Sequence, residues 1–117
     1  EMCTGTRYYE NLVDESAETL QEQFAALAAR YMKNNCACFT PNQARIDDII
    51  RLAKEYDVDG VIDVNLKFCQ LYNTEKPSVR AALEAEGIPC LSLETDYDDN
   101  DSGQLRTRVE AFLEMLD

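Results

Sequence analysis

Segments with helical spacing of apolar residues alternate with short β-branched runs along this chain, and that alternation restricts the fold more than any other feature. Over residues 16–32, Leu20, Phe24, Leu27 and Tyr31 recur at helical spacing among alanines, which predicts an amphipathic helix. Cys36, Ala37 and Cys38, with Pro41 just beyond, predict a short strand running into a loop. A second helix follows over residues 43–56, with Ile46, Ile49, Ile50 and Ala53 on one face. Residues 61–66, β-branched and directly after Gly60, read as a strand. Residues 67–75 read as a polar loop, Thr74 as a cap and Pro77 as part of the first turn of the next helix. That helix carries Val79, Ala82 and Leu83 and stops at Gly87, a left-handed C-terminal glycine. Residues 89–93 form the next predicted strand, and residues 94–102 an acidic loop. Asp101 and Gln104 have capping-box spacing before a last helix whose buried face is Leu105, Val109, Phe112, Leu113 and Leu116.

Helix and strand therefore alternate from end to end. The expectation is one α/β domain over residues 1–117, doubly wound, with right-handed crossovers and helices on both faces of a short parallel sheet. Only three strand candidates are visible. Residues 1–15, with Arg7, Tyr8, Tyr9, Leu12 and Val13, read as the end of an element that starts earlier, so the segment is expected to belong to something larger.

Composition narrows the chemistry. With 11 Lys+Arg against 23 Asp+Glu the formal net charge is −12, which disfavours nucleic acid as a partner because phosphate binding needs a basic patch. No apolar run approaches the roughly 20 residues that cross a membrane. His is absent, so Ser-His-Asp and Cys-His catalysis and His-ligated metals are excluded within this segment. Neither a dinucleotide-binding nor a P-loop glycine pattern occurs. Five cysteines, Cys3, Cys36, Cys38, Cys69 and Cys90, are an odd number at irregular spacing. They make a poor disulfide framework and favour a reducing, cytoplasmic location.

In open parallel sheets, ligands bind beyond the carboxyl ends of the strands. Cys69 lies three residues past the end of the central predicted strand, on that edge and near Lys67. It is either a metal ligand or nucleophile, or an inert loop thiol, which is the commoner case on physical grounds alone. Cys90, inside a strand, reads as core. Cys36 and Cys38 could share a strand face, but two thiolates do not complete a four-ligand site, so core packing is the expectation. Cys3 is open between the two roles. The acidic loop lacks the spacing of a known calcium loop and reads as a solvated charge run. Asp63, inside an apolar strand, is expected to face solvent or a neighbouring domain.

Several strings resemble one family in order along the chain. They are Cys3-Thr4-Gly5-Thr6-Arg7-Tyr8-Tyr9 with Val13-Asp14-Glu15, Arg45-Ile46-Asp47-Asp48-Ile49-Ile50, and Asp59-Gly60-Val61-Ile62. Asn65-Leu66-Lys67-Phe68-Cys69, Leu93-Glu94-Thr95-Asp96-Tyr97 and the stretch from Gly103 through Arg106, Thr107 and Arg108 to Phe112 complete the set. Together they resemble the C-terminal domain of the 2-hydroxyacyl-CoA dehydratase D-component family, which includes 2-hydroxyglutaryl-CoA dehydratase and benzoyl-CoA reductase subunits.

The resemblance implies a Rossmann-like (flavodoxin-like) three-layer domain in one subunit of an oxygen-sensitive heterodimer of two similar subunits. It implies a [4Fe–4S] cluster held by three cysteines of a subunit, and an ATP-hydrolysing activator protein that injects one low-potential electron. The acyl-CoA substrate would pass through a ketyl radical anion and lose water, with the cofactor supplying the difficult step. Carried over by motif, Cys69 is the family's C-terminal cluster ligand, the other two lying outside this chain. Cys3, Cys36 and Cys38 match positions not assigned to the cluster. Gln70 and Leu71 follow Cys69 where the family often has Asp-Pro, and Asp63 replaces a usually uncharged residue. The isolated segment is expected to be catalytically silent. Within the same resemblance stands a benzoyl-CoA reductase-like subunit, and outside it a non-catalytic electron-transfer or scaffold paralogue.

Overall fold

The computed structural model describes residues 12–33, 35–39 and 41–117. Cys3 and its neighbours Arg7, Tyr8 and Tyr9 lie outside the described residues. The chain divides into two compact units, residues 1–42 and 43–117.

The first unit contains helix α1, Leu20–Tyr31. Its start is set by a capping box at Thr19. The Thr19 hydroxyl accepts from the Glu22 N–H at 3.3 Å, and the Glu22 carboxylate accepts from the Thr19 N–H at 2.9 Å. Ser16, the expected start, instead donates to the Asp14 carboxylate at 2.7 Å, so the helix begins later than predicted. The predicted apolar stripe is not a buried face here: α1 contains no buried residue, and Leu20, Phe24 and Tyr31 are exposed.

The strand expected at Cys36–Cys38 is absent. Residues 37–39 form a turn closed by the Phe39 N–H donating to the Cys36 carbonyl at 3.0 Å. Buried Asn42 donates through Nδ2 to the carbonyls of Asn35 (3.3 Å) and Cys36 (3.0 Å). That side-chain alternative to a strand ladder holds the segment in a turn. It also leaves Cys38 exposed, against the expected core role for the Cys36, Cys38 pair.

The second unit runs α2 (Gln43–Glu55), β1 (Val61–Leu66), α3 (Gln70–Ala85), β2 (Cys90–Thr95), a short 3-10 turn (Asp99–Asp101) and α4 (Ser102–Leu116). β1 and β2 pair in parallel with Val61 beside Cys90 and Leu66 beside Thr95. A parallel pair needs a crossover, and α3 supplies it. The unit is mixed α/β, with a sheet of two strands among the described residues. Its core is Ala53, Tyr72, Val79, Leu83, Leu93 and Phe112. The α2 face of Ile46, Ile49, Ile50 and Ala53 is turned inward as expected. On α4, Phe112 is buried but Leu113 is 52% exposed, so the predicted stripe is narrower than the sequence implied.

Two glycines hold specific places. Gly87 has φ +75 and follows the end of α3, where the Ile88 N–H returns to the Leu83 carbonyl at 2.9 Å. A Cβ at Gly60 would lie 2.8 Å from the Phe112 ring, so the absence of a side chain lets α4 approach the foot of β1.

The largest departure from expectation is the start of α3. The sequence predicts a loop up to residue 75, whereas the helix begins at Gln70, with Pro77 inside it. Thr74 is no cap; its hydroxyl donates back to the Gln70 carbonyl at 2.7 Å. The early turns form because Tyr72 is buried, and burial of a large ring outweighs the one backbone bond that Pro77 cannot make. No helix among the described residues is long and apolar enough to cross a membrane.

Candidate functional site

The two strands end level, so the loops that follow them meet at one edge of the second unit. The β1–α3 connection is three residues long: Lys67, Phe68 and Cys69. Its backbone is tied to both neighbours. The Lys67 N–H donates to the Thr95 carbonyl at 2.7 Å, the Cys69 N–H to Leu66 at 3.1 Å, and the Asn73 N–H to the Cys69 carbonyl at 3.0 Å. Cys69 is therefore the cap residue of α3, half-buried and with a free thiol. Phe68 reaches this turn with φ +68, a left-handed conformation uncommon for a bulky side chain, and is 88% exposed.

Lys67 organises the acidic loop. Its ammonium donates to Asp96 at 2.9 Å and to Asp101. The Asp101 and Asp96 hydrogen bonds hold the lysine well above its ordinary range, and the Lys67 hydrogen bond holds the Asp96 carboxyl below its own. This corrects two expectations. The loop is not only a solvated charge run, since two of its carboxylates clamp a lysine. Asp101, though it stands at the cap position of α4, makes no side-chain cap bond because its carboxylate faces Lys67. Lys67 is thus engaged by carboxylates rather than left to favour a nearby thiolate.

Asp63 does not face solvent. It lies on the same face of β1 as Asn65 and is only 11% exposed, with Arg45 of α2 at 3.9 Å. The same guanidinium donates to Glu75 of α3 at 2.8 Å and lies 4.6 Å over the centroid of the Tyr72 ring. Asn65, 1% exposed, donates to Asp63 at 3.4 Å. Asn73 donates to Glu94 of β2 at 3.3 Å. Among the described residues, Asn65 Oδ1 and Glu75 Oε1 are buried without a hydrogen-bond donor. Cys90 is half-buried, and burial, with Asp63 adding to it, pushes its thiol up.

Sequence reasoning missed Arg45, Tyr72 and Glu75. The signal was present: Arg45 shares the α2 stripe with Ile49 and Ala53, and Glu75 falls between Tyr72 and Val79 at helical spacing. A charged residue on an apolar stripe announces a buried partner.

No group of three or more His, Cys, Asp or Glu side chains among the described residues is placed to hold a metal ion. The donor set at this edge is the single thiol of Cys69. It suits one ligand of a shared cluster and is too small to retain one alone. A groove of about 660 Å³ in the first unit, between Leu12, Ala17 and the α1 residues Glu22, Ala26 and Ala29, contains none of the candidate residues.

The family profile described as 2-hydroxyglutaryl-CoA dehydratase, D-component, matches residues 1–116. The chain is 40% identical over 117 residues to "Putative dehydratase subunit YjiM" of Escherichia coli (strain K12), covering 99% of this chain and 30% of that protein. It is 30% identical over 112 residues to the (R)-phenyllactyl-CoA dehydratase beta subunit of Clostridium sporogenes, covering 95% and 29%. It is 32% identical over 107 residues to the (R)-2-hydroxyglutaryl-CoA dehydratase subunit beta of Acidaminococcus fermentans, covering 87% and 28%. The chain thus spans under a third of the length of these relatives. With a profile match from end to end, and with Cys69 of the Asn65–Cys69 string at the strand edge, the chain belongs to the 2-hydroxyglutaryl-CoA dehydratase D-component family.

Proposed function

We propose that this chain is one domain of a 2-hydroxyacyl-CoA dehydratase subunit, and that Cys69 is one thiolate ligand of a [4Fe–4S] cluster completed by cysteines elsewhere in a longer polypeptide. The observation that carries the reading is the position of Cys69. It stands at the head of α3, immediately beyond the carboxyl end of β1, where open parallel sheets bind ligands. The β1–α3–β2 unit is the piece of a Rossmann-like, three-layer domain that such a site requires.

The cluster would deliver a low-potential electron to the thioester, supplied by an ATP-dependent activator protein. The substrate class is a 2-hydroxyacyl-CoA, as in the names of two relatives, and the reaction is loss of water. One added electron would make a ketyl radical anion of the thioester, which would expel the 2-hydroxyl as hydroxide; loss of a proton from the adjacent carbon and return of the electron would complete a redox-neutral dehydration. Both relatives are named as beta subunits, which supports a homologous second subunit as partner. The protein's own part at this edge is to present one thiolate and to shape the turn that carries it. By itself the segment is expected to be inactive, and its place of work is the cytoplasm.

The test is iron and acid-labile sulfide in the full-length subunit, purified without oxygen, with and without Cys69→Ser. About four of each per subunit, largely lost in the variant, is the expected result. A full cluster that survives the substitution would remove Cys69 from the site. No iron in the unsubstituted protein would overturn the enzyme reading. Product analysis with 2-hydroxyacyl-CoA and benzoyl-CoA substrates would then separate dehydration from ring reduction.

A further inference from the structure

The turn that carries Cys69 is anchored at its first residue and open at its centre. Lys67 bonds the Thr95 carbonyl through its N–H and Asp96 and Asp101 through its ammonium, whereas Phe68 is 88% exposed and adds no packing. Backbone bonds to Leu66 and Asn73 fix the turn's shape, and at its far end the thiol's direction depends on how the end of β1 and the head of α3 are set relative to each other. Metal ligands function only when held within about 0.5 Å of the productive geometry by supporting contacts.

One side chain grips both stems. The Arg45 guanidinium, 11% exposed, bonds Glu75 on α3 at 2.8 Å, faces Asp63 on β1 at 3.9 Å and stacks on Tyr72 at 4.6 Å. Asp63 lies on the strand entering the turn; Tyr72 and Glu75 lie on the first turns of the helix leaving it. A planar guanidinium with two carboxylates and an aromatic face as neighbours has one orientation that serves all three, unlike a lysine, whose ammonium is a point charge. α2, which supplies Arg45, is packed separately through Ala53, so the guanidinium is an anchor independent of the turn.

We propose that Arg45 is the positioning residue for Cys69, setting the direction of its thiol through Asp63 on one stem and Tyr72 and Glu75 on the other. This rests on the reading of Cys69 as a cluster ligand.

The test uses the full-length subunit with Arg45→Met, Arg45→Lys and a control on the same helix, Arg51→Met, whose partners Asp48 and Glu55 are on α2 itself. Two readouts are taken at a temperature where circular dichroism shows every variant folded. The first is the alkylation rate of Cys69 relative to exposed Cys38 of the first unit in the metal-free protein, by peptide mass spectrometry. The second is the electron paramagnetic resonance spectrum and iron retention of the reconstituted cluster. Arg45→Met is expected to change the Cys69:Cys38 rate ratio about fivefold or more, alter the spectrum and lower iron retention about tenfold. Arg45→Lys should fall between it and the unsubstituted protein, and Arg51→Met should match the latter.

A purely structural ion pair would lower the melting temperature of Arg45→Met and leave the rate ratio and spectrum unchanged; that result overturns the proposal. Should Arg45→Met fail to fold, Arg45→Lys decides by the same criteria. If the unsubstituted protein holds no iron, the cluster reading falls, while the rate ratio still decides whether Arg45 positions Cys69.

Discussion

The Arg45 guanidinium lies 4.6 Å over the ring of Tyr72 while bonding Glu75, three residues further along the same helix, at 2.8 Å. The pair staples α2 to α3 from positions about 30 residues apart, and both charged side chains are at most 15% exposed. Breaking a buried pair leaves the remaining charge uncompensated, which costs more than the intact pair contributes. Glu75→Ala is therefore expected to destabilise the second unit by about 2–4 kcal/mol. Urea unfolding followed by circular dichroism would measure it, and an unchanged midpoint would show that Asp63 alone satisfies the guanidinium.

Asn65 gives a prediction of opposite chemical logic. It is 1% exposed and beside Asp63, and its amide can donate where a carboxylate cannot. Asn65→Asp changes shape least but sets a second buried acid against Asp63. The expected loss is about 3 kcal/mol at neutral pH, shrinking as the solution is acidified and one of the two carboxyls takes up a proton. Denaturant midpoints at pH 7 and pH 4.5 test both parts, and a pH-independent loss would refute the electrostatic cause.

The Lys67 clamp has a defined pH window. Asp96 has its carboxyl lowered by Lys67, so its contribution is present above the unfolded carboxylate range near 4 and is lost as pH falls through the lower folded value. Lys67 is raised by Asp101 and Asp96, so its contribution is complete below its unfolded value near 10.4 and is lost only as pH rises through the higher folded one. The clamp is thus flat between about pH 5 and 10 and fails on the acid side first. Lys67→Met should remove part of the acid-limb slope of stability below about pH 4, and the effect should shrink in 1 M salt because the pair is partly solvated. An acid limb identical in the variant would argue against the clamp.

Gly60 and Phe68 respond to substitution in opposite senses. A Cβ at Gly60 would meet the ring of buried Phe112 at 2.8 Å and Leu116 at 3.2 Å, so Gly60→Ala should cost about 1–3 kcal/mol by overpacking. Phe68, at φ +68 and almost fully exposed, gives up little burial on replacement, and Phe68→Gly should stabilise by about 0.5–1 kcal/mol by removing left-handed strain. Thermal unfolding of the two variants side by side checks the signs. Stabilisation by Gly60→Ala would mean that α4 yields at no cost.

Much of the fold was legible because its signals are local. The β-branched run after Gly60 is β1 with the expected bounds, and Gly87 has the left-handed φ predicted for it. The misreadings also have local causes. Pro77 imitates a helix start, but buried Tyr72 carries α3 back to Gln70. The spacing of Cys36 and Cys38 imitates a strand, but the Asn42 amide claims the carbonyls of Asn35 and Cys36. Asp101 has the sequence of a cap and gives its carboxylate to Lys67 instead.

By itself the sequence determined the alternation of helix and strand over residues 43–117, the family, and Cys69 as the thiol beyond the end of a strand. These depend on propensity, periodicity and contiguous strings, which need no knowledge of what lies across the fold. Only the tertiary structure decided where the charges go. Asp63 meets Arg45 rather than solvent, Lys67 meets Asp96 and Asp101 rather than a thiolate, and Glu75 is buried rather than part of a polar loop. Each of these pairings joins residues 18 to 34 positions apart and follows from strand register and helix rotation, which local preferences leave free and burial of the core fixes.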